Sequence, residues 1–287
     1  MDTHPGTRLR TLMDQGIVPA PGAFNALVAR AVADAGFPAT YISGGATANV
    51  AGYPDVGLIS LTEMCRSIQE ISRASGLPTI VDADTGYGEI ETSIRTIHEY
   101  ERAGAAALHL EDQVFPKRCG HLDGKTLVST EEMCEKISAM ARARIHPDFV
   151  IIARTDAHGV HGIEEAIKRA NAYREAGADV IFPEGLQTDE QFAEVAKGSP
   201  GHLLANMTEF GKTPIIPLSR FEELGYSIVI YPLSMMRVAM GAVVRGLEAL
   251  KKDGSVESLL EDMHDRASLY ELLGYTPGSH WVFPGTK

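Results

Sequence analysis

The sequence predicts an α/β fold, a (β/α)₈ TIM-type barrel, from two observations. Eight short, β-branched apolar runs recur along the chain, and stretches with helical periodicity separate them. Three of these stretches end in an Ala-Gly pair that an apolar run follows at once: Ala35-Gly36, Ala103-Gly104 and Ala176-Gly177. Glycine after a helix accepts the left-handed conformation that stops it. The repeated unit, without a composition break, favours a barrel over a doubly wound open sheet.

The apolar runs and the periodic stretches give the boundaries of the elements. The predicted strands are Ile17–Pro21, Ala39–Ser43, Thr79–Asp82, Ala107–Glu111, Val150–Arg154, Val180–Pro183, Leu203–Asn206 and Ile228–Tyr231. The predicted helices include Asn25–Ala35, Leu61–Ile71, Glu91–Ala103, Thr130–Ala141, Ile163–Ala176, Asp189–Ala196 and Leu218–Leu224.

The end of the chain holds more helix than one barrel unit requires. Helical patterns run over Val238–Lys252 and Ser255–Leu273, and a loose tail follows from Tyr275 to Lys287. We therefore predict a single barrel domain over residues 1–287, in which residues 238–287 form a C-terminal helical arm and tail. An arm of this kind is suited to gripping a neighbouring subunit.

Composition narrows the classes of partner and compartment. The chain is 44% hydrophobic and 22% charged, as soluble globular proteins are, and its net charge of −12 argues against nucleic acid or an anionic membrane as a partner. The N-terminus lacks the apolar core of a signal peptide, and no apolar run has the length of a transmembrane helix. The three cysteines, Cys65, Cys119 and Cys134, lack zinc-type spacing, which predicts a reducing, cytoplasmic location.

Carboxylates follow the third and fourth predicted strands, at the end of the barrel where active sites form. Asp82 and Asp84 close the third strand and Glu111 closes the fourth. Three carboxylates in one barrel mouth would repel each other unless a cation lay between them. Mg²⁺ prefers carboxylate and water oxygens, so the sequence predicts a magnesium site. After the second strand, Ser43-Gly44-Gly45 offers unhindered backbone N–H groups that suit a carboxylate or a phosphate.

A cysteine with charged neighbours lies in the segment Lys117-Arg118-Cys119-Gly120-His121. Neighbouring cations favour the reactive thiolate form, which indicates a catalytic thiol. The competing interpretation is a structural thiol in a basic loop, and the five residues alone do not separate the two. The carboxylates at the preceding strand ends favour the catalytic interpretation.

Together these motifs resemble the isocitrate lyase/phosphoenolpyruvate mutase superfamily, over nearly the whole chain from Pro21 to about Glu271. The stretches that carry the resemblance are Pro21–Phe24, Tyr41–Gly45, Pro54–Gly57, Val81–Gly88, His109–Gln113, Lys117–His121, Ile152–Asp156, Asn206–Gly211 and Tyr231–Ser234. The resemblance is strongest to the branch that cleaves 2-methylisocitrate. It implies a Mg²⁺-dependent carbon–carbon lyase that splits this 2-hydroxy tricarboxylate into pyruvate and succinate, as in propionate catabolism. It also implies a late barrel helix exchanged between subunits and a homotetramer of such helix-swapped dimers.

The resemblance also implies roles for individual residues. Asp82 and Asp84 bind Mg²⁺, for which Mn²⁺ can substitute, with Asp55 and Glu111 in its water shell. Cys119 is the acid that protonates the departing carbon, Gly120 supports it and His121 tunes it. Ser43, Gly44 and Gly45 hold the pyruvate end. The remaining substrate contacts are Arg154, Glu184, Asn206, Thr208, Arg237 and Arg266, and Arg154 also counts among the catalytic residues. The general base is left open between Tyr41 and Glu184.

The substrate separates the branches of this superfamily. The alternatives are a 2,3-dimethylmalate lyase, an oxaloacetate hydrolase, a phosphonate-type mutase and, outside catalysis, a small-molecule-binding barrel. A third carboxylate needs a third cation, which makes Arg237 the best discriminator. One departure from the expected pattern is Ala46-Thr47, where a more glycine-rich turn is expected. The intact set Asp82, Asp84, Glu111 and Cys119 argues against a non-catalytic barrel.

Overall fold

Eight parallel strands alternate with helices in the computed structural model, which describes residues 3–120, 122 and 124–282. The strands are β1 (Val18–Pro21), β2 (Thr40–Ile42), β3 (Thr79–Asp82), β4 (Ala107–Glu111), β5 (Val150–Thr155), β6 (Val180–Pro183), β7 (Leu204–Asn206) and β8 (Ile228–Tyr231). Each predicted strand is present, and its ends agree to within one residue. Agreement is this close because almost every strand residue is buried, which leaves an uninterrupted apolar run in the sequence.

The strands close on themselves in chain order. Ladders join β2 through β6 in sequence and join β1 to β8 and β8 to β7. Two short bridges complete the ring: Gly22 pairs with Tyr41 between β1 and β2, and Ile181 pairs with Leu203 between β6 and β7. The predicted (β/α)₈ barrel is thereby confirmed.

Helices surround the barrel and continue beyond it. They are α1 (Pro5–Gln15), α2 (Ala26–Asp34), α3 (Gly44–Val50), α4 (Leu61–Ser75), α5 (Ile90–Ala103), α6 (Thr130–Ala143), α7 (His158–His161), α8 (Ile163–Glu175), α9 (Asp189–Gly198), α10 (Leu218–Glu223), α11 (Ser234–Asp253) and α12 (Arg266–Leu272). The three Ala-Gly pairs end α2, α5 and α8 as predicted, because Gly36, Gly104 and Gly177 all have positive φ. A capping box between Ser60 and Glu63 starts α4.

The sequence did not predict α1, which covers the N-terminal end of the barrel. Leu9 and Met13 lie one turn apart on this helix and pack into the cluster formed by the inward-facing strand residues. Arg10 pairs with Asp179 at 2.8 Å, and Thr7 donates to Asp148 at 2.5 Å. Both acceptors stand just before a strand, so α1 is fastened to the end of the barrel opposite the strand C-termini.

The C-terminal segment departs from the prediction in two ways. First, α11 begins at Ser234, four residues before the predicted Val238, and none of its residues is buried. Second, the predicted helix over Ser255–Leu273 is interrupted: a 3₁₀ helix runs over Glu257–Asp262, and the Asp265 side chain then caps the start of α12 by accepting from Ser268 N at 2.7 Å. Of the helices described, none combines the length and the apolar character needed to span a membrane.

Candidate functional site

A cleft opens at the C-terminal ends of the strands, and most of the predicted site residues line it. Eleven of the predicted residues line it: Tyr41, Ser43, Gly45, Asp55, Asp82, Cys119, Gly120, Arg154, Glu184, Asn206 and Thr208. The remaining lining residues are Lys117, Phe182, Ile230, Pro232 and Leu233. Gly44, Asp84 and Glu111 lie directly behind this lining and contact it. His121 falls outside the described residues.

Three aspartates surround the start of α3. Asp82 accepts from Gly44 N and from Asp84 N, each at 3.0 Å. A Cβ on Gly44 would lie 2.9 Å from Asp82 Oδ2, and one on Gly45 would lie 3.1 Å from Asp55 Oδ2. A side chain at Gly44 would therefore displace the Asp82 carboxylate, and one at Gly45 would crowd that of Asp55. The N–H of Gly44 is committed to Asp82.

Lys117 sits among these carboxylates, a placement that the sequence did not predict. Its Nζ lies 2.5 Å from Asp55 Oδ1 and 2.9 Å from Asp84 Oδ1, and its side chain is 2% exposed. Burial alone would lower the pKa of Lys117, but the charges of Glu111 and of the three aspartates raise it well above its usual value. The sequence shows Lys117 only as a cation two residues before Cys119, and nothing in it indicates that Lys117 pairs with Asp55 and Asp84.

The carboxylates titrate differently because their surroundings differ. Burial and the charge of Asp82 raise the pKa of Asp84 to about 6, against the opposing effect of Lys117. Burial also raises the pKa of Glu111 well above its usual value, despite Arg154 and Lys117. The pKa of Asp82 is lowered: burial opposes this shift, but His109, Lys117 and Arg154 outweigh it. Asp82 is therefore ionised at neutral pH, whereas the pKa values of Asp84 and Glu111 are raised.

The donor set fits a hydrated divalent cation. In the described part of the chain, no three His, Cys, Asp or Glu side chains are placed to hold an ion directly. Glu111 Oε1 is nonetheless buried without a hydrogen-bond donor, while Glu111 Oε2 lies 3.1 Å from Arg154 Nη1 and Asp84 Oδ1 lies 2.9 Å from Lys117 Nζ. All these ligands are oxygens, and water molecules around an ion could donate to them. This is the mode in which Mg²⁺ commonly binds.

Arg154 joins the carboxylates of three strands. Its Nε and Nη2 bond both oxygens of Asp156, at 2.9 and 3.1 Å. Its Nη1 lies 3.1 Å from Glu111 Oε2 and 3.8 Å from Glu184 Oε2. Asp156 thus pairs with the Nε–Nη2 edge of Arg154. The positive charge and the remaining N–H groups of the guanidinium lie at the cleft. The sequence places Asp156 two residues after Arg154 but does not predict this role.

The segment that carries Cys119 is tied to β5 through Lys125. The Nζ of Lys125 is buried, donates to the main-chain oxygen of Gly120 and lies 2.9 Å from Asp156 Oδ1. A Cβ on Gly120 would lie 2.5 Å from Glu184 Cγ and 2.6 Å from Arg154 Nη2. The backbone after Cys119 therefore rests directly on two cleft side chains. The sulfur of Cys119 is half-buried and forms no disulfide.

The two candidate bases, Tyr41 and Glu184, have different environments. Tyr41 Oη lies 2.7 Å from His109 Nε2, and burial together with Asp82 raises the pKa of Tyr41 well above 10. Burial lowers the pKa of His109 to about 4, so this imidazole is neutral at pH 7. Glu184 accepts from Gly185 N at 2.8 Å and from Asn206 Nδ2 at 3.1 Å. Tyr41 therefore retains its proton, and Glu184 is the better placed of the two to accept one.

The two distal arginines differ in position. Arg237 stands at the rim of the cleft, where its Nη1 donates to Thr208 Oγ1 at 3.1 Å and to Glu209 Oε2 at 2.9 Å. Arg266 opens α12, is exposed and does not line the cleft. Within one chain α12 packs against α2, where Arg30 donates to the main-chain oxygens of Leu272 and Leu273. Contact between Arg266 and the substrate stays a prediction.

Comparison with known proteins places this cleft in context. The family model described as phosphoenolpyruvate phosphomutase matches residues 9–251. The chain is 50% identical over 256 residues to a probable 2-methylisocitrate lyase of Corynebacterium glutamicum, covering 89% of this chain and 84% of that protein. It is 48% identical over 273 residues to a 2-methylisocitrate lyase of Aeropyrum pernix, covering 95% and 88%. A 2,3-dimethylmalate lyase of Eubacterium barkeri is 44% identical over 273 residues, covering 94% of each.

Solved structures show the same fold. A crystal structure of 2,3-dimethylmalate lyase superposes with a TM-score of 0.89 at 40% identity, covering 96% of this chain and 93% of that one. A phosphonopyruvate hydrolase in complex with oxalate and Mg²⁺ superposes with a TM-score of 0.86 at 31% identity, covering 95% of each chain.

Proposed function

The chain belongs to the phosphoenolpyruvate phosphomutase/isocitrate lyase family, and on that premise we propose that it is a carbon–carbon lyase that cleaves 2-methylisocitrate into pyruvate and succinate. Relatives of that activity are 48–50% identical over most of the chain. The observation that supports this choice of substrate is a third cation, Arg237, which lies at the rim of a cleft that already holds Arg154 and Lys117. A substrate with three carboxylates matches three cations. The activity belongs chemically to propionate catabolism.

We propose Mg²⁺ as the cofactor, held by Asp82 and Asp84, with Asp55 and Glu111 acting through water. A relative of the same fold binds Mg²⁺ together with oxalate. The unpartnered Oε1 of Glu111 and the grouping of Asp55 and Asp84 around the cation Lys117 support this assignment. When bound, the ion would polarise the hydroxyl and carboxylate oxygens of the substrate.

The side chains of the cleft supply the proton transfers. Glu184 takes the proton of the C2 hydroxyl, which becomes the carbonyl of pyruvate as the C2–C3 bond breaks. The electron pair passes to C3 of the departing succinate, where Cys119 delivers a proton. The N–H of Gly45 holds the carboxylate of the pyruvate end, because that of Gly44 is already committed. Arg154 offsets the charge that develops on succinate.

Turnover of a substrate panel tests this function. With Mg²⁺ present, kcat/KM should be highest for 2-methylisocitrate among 2-methylisocitrate, isocitrate, 2,3-dimethylmalate, oxaloacetate and phosphonopyruvate. The dimethylmalate lyase relative makes 2,3-dimethylmalate the second candidate. A higher kcat/KM for 2,3-dimethylmalate would replace the proposed function with that one.

Arg237→Ala should lower kcat/KM sharply for 2-methylisocitrate and little for 2,3-dimethylmalate. The loss on the triacid should correspond to about 2–5 kcal/mol, because a substrate carboxylate is left without its charged partner. Arg237→Lys should recover only part of it, since lysine offers a point charge in place of a fork. Steady-state kinetics on both substrates measure the contrast. Equal losses on triacid and diacid would show that Arg237 supports the scaffold and does not read the substrate.

We propose that α11 is exchanged between subunits of a homotetramer. Seven large apolar side chains of α11 are exposed by 41–68%: Met235, Val238, Met240, Val243, Val244, Leu247 and Leu250. An apolar helix surface of this extent is typical of an interface. The free cysteines and the acidic charge suit a cytoplasmic protein without nucleic-acid partners.

Leu247→Asp should shift the assembly toward smaller species, because it places a charge in the centre of the proposed interface. Light scattering after size-exclusion chromatography measures the mass. Ile145→Asp, at a similarly exposed apolar side chain outside α11, is the matched control and should leave the mass unchanged. An unchanged mass for Leu247→Asp would remove α11 from the interface.

A further inference from the structure

The loop after β7 carries a carboxylate that the proposed chemistry does not use. Glu209 follows Thr208 and contacts Arg237 twice, through Oε2 at 2.9 Å and through its main-chain oxygen. Thr208 Oγ1 accepts from the same nitrogen at 3.1 Å. All three acceptors therefore converge on Nη1 of Arg237. The Nε and Nη2 atoms make no hydrogen bond to any described residue.

Glu209 is itself held in place. The hydroxyl of Ser234, the first residue of α11, donates to Glu209 Oε1. Phe210 adopts φ 61° and lies beneath the guanidinium, with 5.4 Å between Arg237 Cζ and its ring centroid. The loop thus contacts the guanidinium of Arg237 from two sides, and the start of α11 holds Glu209. About a third of each partner is exposed, and such pairs contribute little net stability, so the contact matters mainly for orientation.

We propose that Glu209 is a positioning residue that sets the preference for three carboxylates. By holding Nη1, it fixes the guanidinium so that the Nε–Nη2 edge remains available to the third carboxylate of the substrate. Side-on pairing through this edge is a bidentate mode, which gives arginine its geometric selectivity for carboxylates. This inference rests on the proposed lyase function.

A competing role has the opposite consequence. Glu209 could occupy Arg237 as a stand-in for the substrate carboxylate, so that substrate must displace it. That role predicts tighter binding of triacids once Glu209 is removed, and the positioning role predicts weaker binding. The convergence of all contacts on one nitrogen favours positioning, because a displaced competitor would be expected on the bidentate edge.

Glu209→Gln tests the two roles with little change in shape. We expect KM for 2-methylisocitrate to rise about tenfold, as for loss of one hydrogen bond to a charged group, with kcat changed less than twofold. KM for 2,3-dimethylmalate should not change. Calorimetry with unreactive acids should show the same contrast, with weaker binding of tricarballylate and unchanged binding of succinate. Ser234→Ala, which only loosens Glu209, should shift KM in the same direction by less.

Two further variants of the protein separate the positioning role of Glu209 from a structural one. In Arg237→Ala, adding Glu209→Gln should have no further effect, because Glu209 acts only through Arg237. Asp189→Asn breaks a comparably exposed pair with Arg220 away from the cleft and should change neither KM. A lower KM for the triacid, equal changes on both acids or additive losses in the double variant would overturn the proposal. A wild-type protein that does not prefer the triacid would overturn the assignment of 2-methylisocitrate as the substrate as well, and this result is seen without any variant.

Discussion

Cys119→Ser is expected to lower kcat by about 10²–10⁴-fold with the fold intact, the range associated with loss of a general acid. Serine nearly keeps the shape of the side chain but holds its proton far more tightly. The surroundings favour this residue as the acid: Cys119 lines the cleft, and the next residue, Gly120, rests on Arg154 and Glu184. Steady-state kinetics measure kcat, and a thermal melt of the same variant shows whether the fold is retained.

The two other cysteines are the matched controls. Cys65 and Cys134 are only partly exposed on α4 and α6, and burial raises the pKa of both thiols. Cys65→Ser and Cys134→Ser should therefore leave turnover nearly unchanged. Iodoacetamide should inactivate the parent protein through Cys119. If it inactivates Cys119→Ser at the parent rate, the assignment of the acid is wrong.

Removal of the divalent cation is expected to abolish turnover, and Mg²⁺ or Mn²⁺ should restore it. Without a bound cation, Lys117 and Arg154 are the positive side chains among the described residues that line the cleft, alongside several carboxylates. Dialysis against EDTA followed by back-titration measures the requirement. Full activity of the metal-free protein would contradict the proposed cofactor.

Asp82→Ala should be more damaging than Asp55→Ala. Asp82 is buried and accepts from two backbone N–H groups, whereas Asp55 is partly exposed and pairs with Lys117 at the edge. Activity measured across a Mg²⁺ titration should show a weaker apparent affinity for Asp55→Ala and no recovery for Asp82→Ala. The reverse order would move the ion toward Asp55.

The strands could be predicted because a strand that is buried on both faces produces a short, uninterrupted apolar run in the sequence. The helix α1 was not predicted, although Leu9, Leu12 and Met13 have the i, i+3, i+4 spacing of a helix face. These three residues span little more than one turn within a polar stretch, which is too short to establish a periodic pattern. The short helix α3 was missed for a related reason. It starts at Gly44-Gly45, which reads as a turn until Ser43 is seen to cap it.

In the site, likewise, features that depend on neighbouring residues could be predicted, and contacts between residues far apart in the sequence could not. The parallel barrel places Asp82 and Glu111 at one end of the molecule, so their grouping follows from topology alone. The partnership of Lys117 with Asp55 joins residues 62 positions apart, and nothing in either neighbourhood signals it. The same holds for Lys125 with Asp156 and for His109 with Tyr41. Residues that line the cleft were predicted more readily than the residues that hold them in place.

The fastening of α1 has a practical consequence for attaching the protein to a solid support. Arg10 and Thr7 pin this helix to the barrel end farthest from the cleft, and Leu9 anchors it beneath the strands. A tether at the N-terminus would therefore leave the cleft facing the bulk solvent, so that small molecules could diffuse into it without obstruction. Coupling chemistry directed at α11 would instead compete with the proposed contacts between subunits. For a flow reactor or a sensor surface, the N-terminus is the better handle.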